Sequence, residues 1–569
     1  REGWERVPYW LDGFIPLAWL LEDEDLQGRA KRYVDAILSG QQEDGWICPC
    51  GVQEREHYDV WAAFLICKVL VVYQECSGDG RIEEAVYRAL KQLLTHISAK
   101  TLFGWGAARW FECMIPLLWL HERRPEPWMG ELAYVLEGCG IDYERLYGRL
   151  SFEKPGVERY WTFLNHVVNV AMALKSRAEM SLLTGENPDV FALDFYRKLT
   201  ESHGMAIGHF TGDECLSGTS PLQGSECCGV VEAMYSYEEL LSIGGNPIWG
   251  DLLEQTAFNG LAATVSADMW SHQYVQMTNQ VECTRLPQGK MPFNSNNEEA
   301  HIFGLEPHFG CCTANFGQGW PKFALSTVMR TKKGLAVTAL APVRVETSVS
   351  GKNVCLTVDT EYPFRDSLRI RIQPEEPVEF ELSVRIPGFA QAAEVRIGAE
   401  EREAVPGSFY LIKRCWEKDE EIAVELSFQA QFVERPRGMW ALRRGPLFYA
   451  LPIEAAYERI EYERDGVERK FPYCDYAIRP TSEWGYGFGD GPVETVYGEM
   501  PERPFDREKP PVMLELEMVP LDWRKEDGMC RERPESTKPV GEPVKKRLYP
   551  YGCTTLRMTE MPRVASQGI

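Results

Sequence analysis

Nowhere does the 569-residue chain run to 18 apolar residues without a charge, so no membrane-spanning helix is expected. Basic residues are in short supply: Lys and Arg number 61 against 85 Asp and Glu, a formal net charge of −24. Such a surface repels nucleic acid and anionic lipid, which removes both as partners. Histidine is rarer still, nine residues, all at or before His308. Missing in any supporting context are a P-loop, a dinucleotide fingerprint, HExxH and GxSxG. The opening Arg1-Glu2-Gly3-Trp4-Glu5 lacks the charged-then-apolar order of a signal sequence, and the numbering is expected to begin inside a longer natural chain. Cysteine is plentiful, 17 residues at irregular spacings. That is unlike a small disulfide scaffold and points to a reducing compartment, the cytoplasm, with most thiols buried.

At this length two to four domains are expected. Apolar residues recur at helical spacing in Trp10–Leu21, Asp59–Tyr73, Ile82–Ile97, Trp110–Leu120, Val167–Leu183, Val230–Ile243, Asp251–Ala263 and Pro321–Met329. Three joints, Glu75-Cys-Ser-Gly-Asp-Gly, Leu183-Thr-Gly-Glu-Asn-Pro and Ile243-Gly-Gly-Asn-Pro, place a glycine where a helix C-cap belongs. Five or six such hairpins predict a closed (α/α)6 barrel with an open helical array as the alternative. From about Gly334 the pattern turns to alternating strands such as Leu368-Arg-Ile-Arg-Ile and Phe380-Glu-Leu-Ser-Val-Arg-Ile. The fold class expected is α+β multidomain: an (α/α)6-barrel catalytic domain over 1–332, a β-sandwich over 333–455 and a second β-rich domain over 456–569. All nine His and 13 of the 17 Trp precede residue 330, which places the chemistry in the helical part.

Two segments break the cysteine scatter, Gly224-Ser-Glu226-Cys227-Cys228 and Gly310-Cys311-Cys312-Thr-Ala-Asn315. Neighbouring cysteines bridge each other poorly, because a disulfide needs Cα atoms over about 4.4 Å apart. Adjacent thiolates on a tight turn can instead share one soft cation, with the nearby Glu adding oxygen. Four buried, inert thiols are the plain alternative.

These residues carry a resemblance to the β-L-arabinofuranosidases. Pro8-Tyr-Trp-Leu-Asp-Gly, Gln41-Gln-Glu-Asp-Gly, His57-Tyr-Asp, Leu253-Glu-Gln-Thr-Ala-Phe-Asn-Gly260, the double Cys, Val384-Arg-Ile-Pro-Gly and Arg444-Gly-Pro-Leu share in it. The resemblance implies a retaining exo-glycoside hydrolase that releases a terminal furanosidic sugar, β-L-arabinofuranose by default. It implies Zn2+ held by Glu226, Cys228, Cys311 and Cys312, with Cys311 also the nucleophile. It makes Glu214 the general acid/base, with Asp213 and Glu232 in reserve, and His57, His166, Glu254 and Tyr274 sugar contacts. The partner implied is a glycoside or oligosaccharide, and a homodimer is the assembly entertained.

The chain also departs from the family. A histidine of the third hairpin is replaced near Arg109-Trp110, and Cys-Cys-Thr-Ala-Asn stands where the characterised branch has Cys-Cys-Pro-Pro-Asn. The same machinery on another plant-wall sugar is therefore an alternative, as is a catalytically silent, zinc-containing carbohydrate-binding protein. A barrel lyase or epimerase would need a Tyr/His pair and no thiolate. His209, His272, His301 and His308 are further candidates near the site, Cys48-Pro-Cys50 is a weak metal clip, and Trp270 and Trp320 suit either a sugar face or the core.

Overall fold

The computed structural model describes residues 2–148, 162–290, 292–293, 296–305 and 310–564. Its helical part comprises α1 (Val7–Leu20), α2 (Glu24–Gly40), α3 (Trp61–Ser77), α4 (Arg81–Ala99), α5 (Met114–Arg123), α6 (Pro127–Cys139), α7 (Val167–Ala173), α8 (Ser176–Thr184), α9 (Asp189–His203), α10 (Cys227–Gly244), α11 (Pro247–Gln255), α12 (Gly310–Asn315) and α13 (Gly319–Leu325). Helices α3 and α10 are buried along nearly their whole length, whereas α2 buries only Ala30 and Val34. That contrast separates inner from outer helices. The inner helices α1, α3, α5, α8, α10 and α13 pack each on the next, and α13 returns to α1, so the ring is closed. Helices α2, α4, α6, α9 and α11 lie outside their partners. The glycines expected to stop helices do so. Gly78, Gly185 and Gly245 end α3, α8 and α10 at φ of 72°, 75° and 66°, each returning its N–H to the carbonyl four residues back.

Charge occupies the middle of this ring. Asp12 comes from α1, Lys68 from α3, Glu112 from the turn Trp110–Cys113 that leads into α5, Lys175 from the cap of α8, and Lys322 from α13. All five are buried. The Lys68 ammonium is 3.3 Å from both Asp12 and Glu112, Lys322 is 2.6 Å from Asp12, and Lys175 pairs with Glu112. On α10, the ring of Tyr235 lies 4.0 Å from the ammonium groups of Lys68 and Lys322. Burial pushes the Asp12 carboxyl up, but Lys322 and Lys68 outweigh it and hold it below its usual value.

Beyond short pairs among the barrel loops, the strands of the sandwich start at Val328–Thr331, three residues after α13, so the helices end at Leu325, short of the expected 332. A six-stranded sheet faces a four-stranded one, and Ser367–Pro374 alternates exposed and buried at every residue. The second boundary also moves. Strands Ala430–Arg435, Met439–Arg444 and Leu447–Ile453, expected in the first sandwich, pair onward to Val544–Pro550 and Val512–Pro520, and so belong to the last sheet.

Arg385, on the strand Val378–Ile386, reaches back under α11 and pairs with Asp251 and Glu254. Glu254 also accepts from the Leu340 backbone N–H at 2.6 Å and the Tyr362 hydroxyl at 2.5 Å, and it is fully buried. This corrects the expectation that Glu254 touches sugar. The carboxylate is consumed in joining barrel to sandwich, because the face of α11 that carries it is covered by the β domain. Glu254→Ala would leave a buried guanidinium short of its counter-charge, at a cost of about 3–5 kcal/mol. A lowered unfolding midpoint by circular dichroism, with unchanged KM in the folded enzyme, is the expected result.

Candidate active site

Two loops and two helix starts converge. Glu226 caps α10, with Cys227 and Cys228 in its first turn, and Cys311 and Cys312 stand in the first turn of α12. At both helix starts the positive end of the backbone dipole favours thiolate. Ser225-Glu226 pairs antiparallel with Val275-Gln276, and Gly224 is pressed so close to that strand that a Cβ would lie 2.1 Å from a Val275 methyl. The Glu226 N–H donates to Gly212 O at 2.8 Å, and the Val167 N–H donates to Glu214 O at 2.6 Å. The loop from 212 to 226 is thereby closed on itself, which brings Glu214 beside Glu226.

The structure assembles the expected donor set. One atom each from Glu226, Cys228, Cys311 and Cys312 lie within 4.8 Å of one another, with the Cys228 and Cys312 sulfurs 3.1 Å apart. Glu226 Oε2 is buried with no hydrogen-bond partner among the described residues, a costly state for a carboxylate unless a cation or donor meets it. Burial, then the charges of Glu214 and Cys311, push the Glu226 carboxyl well above its usual range. Burial likewise raises the Cys228 and Cys312 thiols. Cys311 goes the other way, because the Cys228 and Cys312 thiols donate to it. Three sulfurs and one oxygen at this spacing fit a tetrahedral dication with metal–sulfur bonds of about 2.3 Å. The fourth cysteine, Cys227, is buried outside the donor group.

Glu214 stands on the other side of Glu226. A second group of possible ligand atoms, from His166, Glu214 and Glu226, lies within the same 4.8 Å. His166 Nδ1 accepts from the Asn169 N–H at 3.4 Å as the cap of α7, so Nε2 carries the ring proton and donates to Glu214 Oε2 at 3.1 Å. The Tyr274 hydroxyl donates to Glu214 Oε1. Two residues expected to meet sugar therefore hold the expected acid/base in place. The other expected sugar contact, His57, is exposed in the turn Arg55–His57. That turn is linked to the site through Asp59, which accepts from the Trp105 and Gly106 N–H groups at 2.7 and 2.9 Å. The Trp105 ring in turn packs edge-on to His166 at 5.2 Å.

The reserve carboxylates are occupied elsewhere. Asp213, fully buried, accepts from the Ser217 hydroxyl at 2.9 Å and the Asn296 N–H at 2.8 Å. Glu232, equally buried, accepts from Asn315 and Gln318, both at 3.0 Å. His209 stacks on Phe210, and burial takes it down to about 3. His272 lies 3.0 Å from the Thr313 hydroxyl and so braces α12, while His301 donates to Thr284 O at 2.6 Å. His308 falls outside the described residues.

Sequence reasoning missed a cluster beside Cys311. Arg109 donates to Asn169 at 2.7 Å, to Tyr9 at 3.0 Å and to Glu5 at 3.3 Å, and its guanidinium lies 4.2 Å from the centre of the Trp105 ring. Burial raises the Glu5 carboxyl despite Arg109, and the charge of nearby Cys311 adds to the rise. Arg109 was legible only as a departure from the family, and Glu5 carried no signal.

Residues 5–325 match the profile of the catalytic domain of the GH127 β-L-arabinofuranosidases, and residues 334–428 match that of their middle domain. The chain belongs to this family. GH127 members are glycoside hydrolases, so the substrate is a carbohydrate. A GH127 β-L-arabinofuranosidase from Geobacillus stearothermophilus T6 is 18% identical over 98% of this chain and 90% of its own, with a TM-score of 0.69. A structure described as a glycoside hydrolase is 14% identical over 98% and 92%, at a TM-score of 0.73. A GH127 β-arabinofuranosidase is 14% identical over 98% and 87%, at 0.66. No curated protein matches. No described helix of this GH127 chain is long and apolar enough to cross a membrane.

The partition between Asp213 and Glu214 is testable by stability. Asp213→Ala takes the acceptor from the Asn296 N–H and leaves the Ser217 hydroxyl only Cys215 O, and should cost about 1–3 kcal/mol, whereas Glu214→Gln keeps the shape of a partly exposed side chain. Chemical unfolding of the two variants should show a large loss for the first and little for the second.

Proposed function

We propose that this GH127 chain is a retaining, exo-acting hydrolase of terminal furanosidic sugars, with β-L-arabinofuranose as the sugar, Cys311 as nucleophile and Glu214 as general acid/base. One observation carries the reading. Of the three thiols in the donor set, Cys228 and Cys312 are buried while Cys311 is half-buried, and Glu214 beside it keeps its side chain 25% exposed. Groups that only hold a metal can lie deep, but groups that touch substrate must be reachable. A silent binding protein would not need this division.

Glu226, Cys228, Cys311 and Cys312 are the residues that would hold zinc, which when bound supplies the positive charge that keeps sulfur deprotonated. The Cys311 sulfur forms a bond to the anomeric carbon as the glycosidic C–O bond breaks, and Glu214 gives its proton to the leaving oxygen. In the second step water attacks the same carbon, Glu214 takes its proton, and the C–S bond breaks. Two displacements restore the starting configuration. His166 and Tyr274 keep the Glu214 oxygens aimed, and with His57 they are the proposed sugar contacts. The thiols must stay reduced, which makes the cytoplasm the proposed location.

Purified protein is expected to carry one zinc per chain by plasma emission spectrometry. The Cys228→Ser, Cys312→Ser double variant should lose it together with stability; full occupancy there would overturn the ligand set. Cys311→Ala should be inactive, and a slow substrate or an epoxide mimic should leave sugar on the Cys311 peptide in mass spectrometry. Proton NMR of the first-formed product should show retained configuration. Glu214→Gln should lose about 10²–10⁴-fold on a disaccharide and much less on an activated aryl glycoside. An inverted product, or label on a carboxylate, would reduce the double cysteine to a metal clamp.

A further inference from the structure

Large aromatic side chains are seldom left in water together, and where they are the patch generally has a ligand. Trp270 and Tyr473 are each 44% exposed, and their rings meet edge to face at 5.2 Å. Phe471 and Met269 are exposed as well. Trp320, by contrast, is partly buried against the core, stacked on Phe258 and Phe505. The pair joins two distant parts of the chain. Trp270 lies in a barrel loop, and Tyr473 precedes the strand Asp475–Pro480 of the C-terminal part. That strand is fastened to the barrel loops by backbone bonds. Tyr476 donates to Phe303 O at 2.8 Å, and Cys283 and Ile478 exchange bonds of 2.9 Å. Tyr473 is therefore held against Trp270 by the fold.

The segment carrying Trp270 runs straight into the active site. His272 exchanges two backbone bonds of 2.9 Å with Gly304, and its imidazole meets Thr313, the residue after Cys312. Tyr274 holds Glu214. Gln273, between them, turns the other way to Gln280 and His301 O. Trp270 itself sits in the turn that joins Val265 to His272, closed by the Ser266 N–H to Ser271 O at 2.8 Å, so that even fully stretched chain would put it no more than about 13 Å from Tyr274. The aromatic pair is thus a short stretch of chain away from the residues that hold Glu214 and brace α12.

We propose that Trp270 and Tyr473 form an aglycone subsite for a saccharide leaving group. Flat, rigid rings offer a sugar's C–H face a large contact at little entropic cost, and the barrel and C-terminal part each supply one. The inference deepens the hydrolase reading and rests on it.

The test compares wild type with Trp270→Ala and Tyr473→Ala on p-nitrophenyl β-L-arabinofuranoside and on a β-L-arabinofuranosyl trisaccharide. Each variant should lose about tenfold in kcat/KM on the trisaccharide, chiefly through KM, with the aryl substrate unchanged, as the loss of one aromatic contact implies. An equal loss on both substrates, or none on either, overturns the subsite. So does a lower mass than wild type in light scattering for the double variant, which would make the patch a self-association surface. If wild type cleaves no arabinofuranoside, the sugar assignment fails on its own, and the platform is read by tryptophan fluorescence with arabino-, xylo- and galacto-trisaccharides. Quenching by one of them that Trp270→Ala abolishes supports the subsite, and quenching by none, or quenching that survives the substitution, overturns it.

Discussion

The buried ammonium of Lys68, shared between Asp12 and Glu112, is the centre on which the barrel is assembled. A charge taken out of water is tolerated only with its partners in place, so each inner helix that brings a member to this layer is held in register by the others. Lys322 carries the layer toward the active site. It donates to Gln318 at 2.8 Å, and Gln318 donates both to Glu232 at 3.0 Å and to Asn315, the last residue of α12. The helix that presents Cys311 and Cys312 thus rests on the ionic network of the barrel axis.

Above that floor the site separates by depth. Glu226, Cys228 and Cys312 are buried, where low dielectric would strengthen their attraction for a dication, and Cys311 and Glu214 are the more open members. Glu226 belongs to both possible donor groups and so links Cys228, Cys311 and Cys312 to His166 and Glu214. Arg109 spans the same gap from beneath, with Glu5 at one end and Asn169, under His166, at the other. A permanent cation among so many carboxylates and thiols lowers the cost of keeping several of them close.

The β domains are more than support. Arg385 is satisfied only by Asp251 and Glu254 of the barrel together with the carbonyl of Thr338, and Leu556–Met558 pairs with Asn279–Gln280 of the barrel part as well as with Leu447–Ile453. Seating this sheet on Asn279–Gln280 braces the neighbouring segment that contributes Tyr274 and His272 to the site.

Much of this was legible in the chain itself. The switch from helical to alternating periodicity near 330, the helix-ending glycines 78, 185 and 245, and the Glu-x-Cys and double-Cys elements are local patterns, and local patterns follow from short-range sterics and hydrogen bonding. The partnership of Glu254 with Arg385, the occupation of Asp213 and Glu232, the approach of Glu5 to Cys311, and the membership of Ala430–Ile453 in the last sheet were not legible. Each depends on which surfaces are pressed together across 83 or more residues, or on which strand a segment pairs with. Residue types and their spacing therefore determined the helices and the strands, and the family resemblance implied the donor set. Burial, set by tertiary packing, decided which carboxylate is spent on structure, which thiol of the donor set is left half-buried and which tryptophan is left in water.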